Sequence, residues 1–359
     1  MATLQTVLRE SSPKRFRAFV GFDGYVDFLY RVIRERSQKG KVPYADITQF
    51  GQDVLGRAGI SGGFELEKLS VRAGGNGPLM AAALAALGVE VDCVGSLGLP
   101  AIDPAFAALS SSCHLHSVAS TATTVALEFG DGKLMLGDTE ALETLDWKKV
   151  VSAIGLDKIR AMAQGADLLA LVNWANLAKG TELWQGFLDE VLAKAPRSAS
   201  GPRIFFDLAD LARCGQAETL GLLKLLGRFK AHGEVFLGMN ENEAWQLAEK
   251  LGLERSAYPS LDALGTAILK HVDVDCLVIH PRSCAVVFQG GKVSTVPGRV
   301  VSQVLLSTGG GDNFNAGFCV GLLHGLSGHD AASLAVLVSS SYVENGRSPS
   351  KADLLKLLA

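Results

Sequence analysis

The segment Leu305 to Leu323, LLSTGGGDNFNAGFCVGLL, constrains this chain more than any other stretch. An apolar approach (Val300, Val301, Val304, Leu305, Leu306) runs into three glycines and an aspartate, and a helical pattern of small and apolar residues comes next. Glycines ahead of a helix let the backbone turn so that its N–H groups converge, and the helix N-terminus adds positive potential at the same place. An anion can sit on Gly309, Gly310 and Gly311, with Asp312 beside it. A carboxylate next to such a cradle repels the anion. Its use there is to take a proton from a group that attacks the anion, as phosphoryl transfer requires. The plain alternative is a glycine turn followed by an aspartate N-cap, which needs no ligand.

A chain of 359 residues is long for one simple domain and short for three, so a large core with a smaller appendage is expected. With 48% apolar and 20% charged residues it reads as globular. The net charge is only −3 and the Lys and Arg residues are scattered, which argues against nucleic-acid and acidic-membrane partners. The opening MATLQTVLRESSPKR carries Arg9 and Glu10 and no apolar run of secretory-signal length, so a cytoplasmic location is expected. The apolar windows Met80–Leu87 and Leu334–Val338 are too short to span a bilayer. Six cysteines without Cys-x-x-Cys spacing read as buried free thiols. Cys113, His114 and His116 have no second ligand cluster to make a metal site with them.

Apolar runs alternate with longer helical patterns, which predicts a mostly parallel α/β core. Phe16–Phe22 is the first strand candidate and ends in GFDGYVD. Strand ends of this kind are where open α/β sheets place ligands, and Asp23 or Asp27 there can accept two hydroxyl hydrogen bonds or serve only the turn. Residues 28–70 have a weaker pattern broken by glycines and read as an excursion from the core. Within 117–136, TATTVALEF, Asp131-Gly132 and KLML spell a β-hairpin. Gly75-x-Gly77 opens like a dinucleotide fingerprint, but Met80 holds the third glycine position and no strand pattern precedes it. Leu168–Val172 and Ile204–Phe206 are further strands, ending at Asn173 and Asp207. Asn240-x-x-Glu243 opens a helix after the run EVFLGM and has the form of a capping box.

The string STGGGDNFNAGFCVGLL closely resembles the C-terminal signature of the ribokinase-like (PfkB) carbohydrate and nucleoside kinases, D-T-x-G-A-G-D-x-F-x-A-G-F. Gly309, Gly311, Asp312, Phe314, Ala316, Gly317 and Phe318 fall on it, with Ser307 for its Thr and Gly310 for its first Ala. The interval from Gly74-Gly75 to Leu87-Gly88 is similar to that of the family's N-terminal signature. The chain departs from the family at three places. Leu79 stands where a sugar-binding Asn usually falls, with Asn76 three residues earlier, and Leu306 replaces the Asp associated with a monovalent-cation site. His280-Pro281-Arg282-Ser283-Cys284-Ala285 replaces Thr-x-Gly-x-x-Gly.

The resemblance implies a ribokinase-like three-layer α/β sandwich with a mainly parallel central sheet and a small β-rich lid. Residues 1–27, 71–116 and 137–359 would form the core, and 28–70 and 117–136 the lid insertions. It implies a sugar kinase in which Asp312 is the base and Gly309–Gly311 the anion hole. Asp27, Asp23, Gly74, Gly75 and Asn76 would bind the sugar. Asn240, Glu243, His280, Arg282 and Thr308 would lie on the nucleotide side, with Glu243 reaching Mg2+ through water. ATP is the expected donor. ADP is the alternative, since VGFDGYVD is reminiscent of ADP-dependent sugar kinases. A nucleoside acceptor, or a silent sugar- or nucleotide-binding scaffold, are the other readings. Leu306 implies weak or no potassium activation. Pairing of two chains through the lid is expected, and Tyr342, Asn345 and Arg347 are expected to border the nucleotide.

Overall fold

A computed structural model describes residues 4–9, 15–38, 40–195 and 201–358. Short apolar runs such as RAFVGF, EVDCVG, LLAL and EVFLGM suit strands covered by helices on both faces, and each of these is a buried strand. In chain order the strands are β1 (Arg17–Phe22), β2 (Tyr25–Ser37), β3 (Gly40–Pro43), β4 (Glu65–Gly74), β5 (Glu90–Gly95), β6 (His114–Ser117) and β7 (Ala122–Phe129). Then come β8 (Gly132–Asp138), β9 (Leu168–Leu171), β10 (Arg203–Asp207), β11 (Glu234–Met239), β12 (Cys276–Ile279), β13 (Cys284–Gln289) and β14 (Lys292–Pro297). Nine of them form one sheet in the order β14-β13-β12-β11-β10-β9-β1-β5-β6. Every pair from β12 across to β6 is parallel, and the only antiparallel pairs are the two that β13 makes, with β12 and with the edge strand β14. This is the doubly covered α/β sheet that the alternating pattern predicts.

A second sheet holds β3, β2, β7 and β8, with β4 paired to the other side of β2. β2 and β7 run parallel, and the other pairs are antiparallel. The hairpin read from TATTVALEF and KLML is β7–β8. Two features of the preceding excursion are new. A helix, Ile47–Leu55, packs its Phe50 against Tyr44, Phe64 and Phe129 in a small aromatic cluster. A strand, β4, does run into Gly74, contrary to the sequence reading. It is antiparallel to β2 in the small sheet, so it does not open a parallel β-α-β unit of dinucleotide type.

Four helices carry the glycine-led segments, the Asn-x-x-Glu segment and the packing behind them: α1 (Asn76–Ala86), α2 (Glu241–Lys250), α3 (Gly310–Leu323) and α4 (Gly328–Asn345). Two apolar clusters fill the two faces of the large sheet, one including Phe19, Phe206 and Leu237, the other Val20, Phe205 and Phe318. All six cysteines are free thiols, and no described helix is long and apolar enough to cross a membrane.

Candidate active site

Because β1, β9, β10, β11 and β12 are parallel, their C-terminal ends share one edge of the large sheet, and Asp23, Asn173, Asp207, Asn240 and His280 stand there. Asp312 joins them from the first turn of α3 and is 8% exposed. Gly309, just before this helix, has φ 90°, and a Cβ on it would stand 2.6 Å from the Tyr342 hydroxyl. Only glycine fits there. From behind, α4 holds the turn: Tyr342 Oη donates to the Thr308 carbonyl at 2.8 Å and Ser339 Oγ to the Gly310 carbonyl at 2.8 Å. The Gly310 N–H is already spent on the Ser307 carbonyl at 3.2 Å. The helix itself offers no acceptor to the Gly311 and Asp312 amides, and the Asp312 amide donates to its own carboxylate.

Negative charge accumulates at this edge. Burial pushes the Asp312 carboxyl well above the usual carboxylate range, and the charges of Asp207, Asp23 and Glu243 add to the push. Burial raises Asp207 to about 6, against donation from the Ala209 amide and from Asn315 Nδ2 at 2.6 Å. Burial and then the Asp207 charge raise Glu243 to about 8. Glu243 and Asn240 form a full capping box on α2, with Glu243 Oε2 accepting from the Asn240 amide at 2.8 Å and Asn240 Oδ1 from the Glu243 amide at 2.9 Å. Oxygen-rich surroundings short of positive charge fit a hard divalent cation. Among the described residues no three side chains form a metal-ligand group. Such an ion would therefore be held mainly by phosphates and water, with Glu243 reaching it through water.

Asp23 is 1% exposed and its oxygens are taken by the protein. Oδ1 accepts from the Gly77 amide at 2.8 Å, and Oδ2 from the Asn76 amide at 2.8 Å and Asn173 Nδ2 at 2.6 Å. It fastens the start of α1 to β1 and β9. Burial still raises it to about 6. Asp27 is different. It is half-buried and, with Arg72, Leu79, Lys133, Thr308 and Tyr342, lines a cavity between the small sheet and the glycine turn.

The sequence-named residues sort around this cavity. Gly74 and Gly75 lie against the two carboxylates, their added Cβ atoms meeting Asp27 at 2.5 Å and Asp23 at 2.6 Å. Asn76 gives its amide to Asp23 and does not line the cavity. Thr308 and Tyr342 stand on the cavity wall below the small sheet, and Leu306 lines it as well. His280 stacks on Phe314 at 4.3 Å, and burial lowers it to about 4, so its ring is neutral. Arg282 is exposed on the turn after β12. Arg72, Lys133 and Asn315 carry no local motif, whereas Asp207 was legible as a strand-end carboxylate. A larger surface cavity, about 450 Å³, opens at the opposite end of the sheet beside Lys270 and Gly290 and holds none of these groups.

The fold is shared with solved structures of low sequence identity. Ribokinase from Arabidopsis thaliana, solved with ribose and ATP, superposes with a TM-score of 0.67 at 17% identity, over 96% of this chain and 99% of that one. Adenosine kinase from Sinorhizobium meliloti gives 0.66 at 17% identity, over 96% and 100%. At the sequence level, a ketohexokinase of Haloferax volcanii is 30% identical over 355 residues, 96% of this chain and 92% of that protein. Residues 4–359 match the prokaryotic ketohexokinase family. With this order of elements, and Asp312 behind the glycine turn, the chain belongs to the prokaryotic ketohexokinase family, a branch of the ribokinase-like carbohydrate kinases.

Proposed function

We propose that this carbohydrate kinase transfers the γ-phosphoryl group of ATP to a hydroxyl of a ketohexose. The observation that carries the reading is Asp312, buried in the first turn of α3 and close enough to the Asp27 cavity that both carboxylates act on Tyr342. The acceptor binds in the cavity, with Asp27 accepting hydroxyl hydrogen bonds. As the acceptor oxygen forms its bond to phosphorus, its proton passes to Asp312 and the nucleoside diphosphate leaves. The Gly311 amide and the N-terminus of α3 stabilise charge on the phosphoryl oxygens. Mg2+, when bound, neutralises the donor phosphates. Asn240, Glu243 and His280 face the donor from the ends of β11 and β12, and Asp23 positions rather than binds.

The test is Mg2+-dependent consumption of ATP and, separately, ADP against ketohexoses, aldohexoses, polyols, sugar acids and nucleosides. Ketohexose-dependent ATP turnover is expected, with Asp312→Asn lowering kcat by about 10²- to 10⁴-fold and KM little changed. Near-normal turnover in the variant would refute the assignment of the base. Leu306 lies in the cavity wall rather than offering a carboxylate, so added K+ should leave the rate unchanged. Exposed apolar side chains on the small sheet, Leu66, Val71, Met135 and Leu136, support pairing of two chains there, which sedimentation would report as a dimer.

A further inference from the structure

The cavity that holds Asp27 is nearly closed. Its volume is about 30 Å³, little more than room for one water. Pockets that take organic ligands run from about 300 Å³ upward. A hexose therefore enters only if part of the wall withdraws, and most of the wall is built to do so. Asp27, Leu29, Ala126, Lys133 and Met135 stand on the small sheet, which has an apolar cluster of its own and so moves as a unit. Leu306 and Thr308 stand on the segment 298–308, none of whose residues is fully buried. Leu79 is different. It lies in the first turn of α1, with its amide bonded to the Gly75 carbonyl at 3.1 Å. That turn is fastened to Asp23 through the Asn76 and Gly77 amides, and the next residue, Met80, is fully buried in the core. Because α1 packs on α3, Leu79 and Asp312 belong to one close-packed body. A Cβ on Gly309 would stand 3.3 Å from Leu79 Cδ1, so this methyl group lies beside the glycine turn.

We infer that Leu79 sets the size of the acceptor, limiting the bulk that can stand beside the hydroxyl that receives the phosphoryl group. This rests on the reading of the chain as a ketohexose kinase with its acceptor in this cavity. A wall that moves yields to a larger acceptor. A wall fixed to the catalytic turn rejects it by overlap, since a packed body does not deform to make room. Overlap needs no hydrogen bond, so it excludes by bulk and not by the kind of oxygen the acceptor presents. One carbon more or less against an apolar wall changes kcat/KM by about 10- to 200-fold.

The experiment measures kcat/KM for a ketohexose and a seven-carbon ketose in the wild type, Leu79→Ala, Leu79→Asn and Met135→Ala, with the ATP KM and the thermal midpoint alongside. The wild type should favour the ketohexose by about tenfold or more. Leu79→Ala removes the branched end of the side chain and should bring that ratio to within about threefold, with the ATP KM unmoved. Leu79→Asn keeps the branched outline and should keep the ratio, while Met135→Ala, on the small sheet, should change both acceptors alike. A wild type that takes both ketoses equally, or a ratio unmoved in Leu79→Ala, overturns the inference. A ratio that falls as far in Leu79→Asn makes polarity the discriminator, and one that falls as far in Met135→Ala puts the limit on the small sheet; either overturns it. So does an equal fall in kcat for both acceptors in Leu79→Ala, which would make Leu79 a support of the glycine turn. Absence of ketohexose turnover in the wild type instead strikes the parent reading, which keeps the two failures distinguishable.

Discussion

Asp23 takes the amides of Asn76 and Gly77 and the side chain of Asn173, so three elements are tied at one buried carboxylate. Asp23→Ala leaves three donors unsatisfied, at about 1–3 kcal/mol for each that stays dry, so a loss of more than about 3 kcal/mol is expected in urea unfolding. Gly75 has φ 92° and its Cβ would meet Asp23 Oδ2, so Gly75→Ala should cost about 1–3 kcal/mol. Both act through the same oxygen. The second substitution should therefore cost clearly less in the background of the first, and additive losses would disprove the shared contact. From the sequence, Asp23 and Asp27 are two acids four residues apart with similar surroundings. The donors that claim Asp23 lie 53, 54 and 150 residues away, and only the folded chain shows which carboxylate is left for a ligand.

The position of α3 is set by how closely it lies on its neighbour. Added Cβ atoms at Gly317 and Gly321 would stand 2.8 Å from Ala335 Cα and 2.7 Å from Ala331 Cα, so α3 and α4 touch backbone to backbone. The same α4 supplies Ser339 and Tyr342 to the glycine turn. Gly317→Val should destabilise by about 1–3 kcal/mol through overpacking. It should also lower kcat, because the first turn of α3 shifts with the helix. On α2 the capping box and the donor-side role proposed for Glu243 can be separated. Asn240→Ala should cost about 1 kcal/mol, and Asn240→Ser should restore the cap. If turnover recovers together with stability, Asn240 serves only to orient Glu243; if stability alone recovers, Asn240 meets the donor directly. These elements were legible because each is written in a few contiguous residues, GGGD before a small-residue helix and Asn-x-x-Glu after a strand. Strand β4 and the helix Ile47–Leu55 were not, because they bury little of themselves: neither the helix nor β4 before Gly74 has a fully buried residue.

Across the whole molecule, the folding that creates the site also crowds its acids. Asp23 and Asp207 rise to about 6 and Glu243 to about 8, in each case chiefly through burial, from ordinary values of 3.8 and 4.5. Between the ordinary and the raised values the folded state holds protons that the unfolded chain has released. Stability must then fall as pH rises from about 4 to about 8, and these groups contribute no slope below the ordinary values. Without metal or nucleotide, the thermal midpoint should therefore drop between about pH 5.5 and about pH 8, with Asp207→Asn flattening the lower part and Glu243→Gln the upper part. A cation brought in with the nucleotide competes with those protons. Mg2+ with nucleotide should accordingly raise the midpoint more at about pH 8 than at about pH 6, because at the lower pH part of the charge is already neutralised. Equal gains at both values, or a metal-free profile without slope, would mean that the strand-end carboxylates do not share one electrostatic site. The cation would then have to be placed elsewhere than beside Glu243.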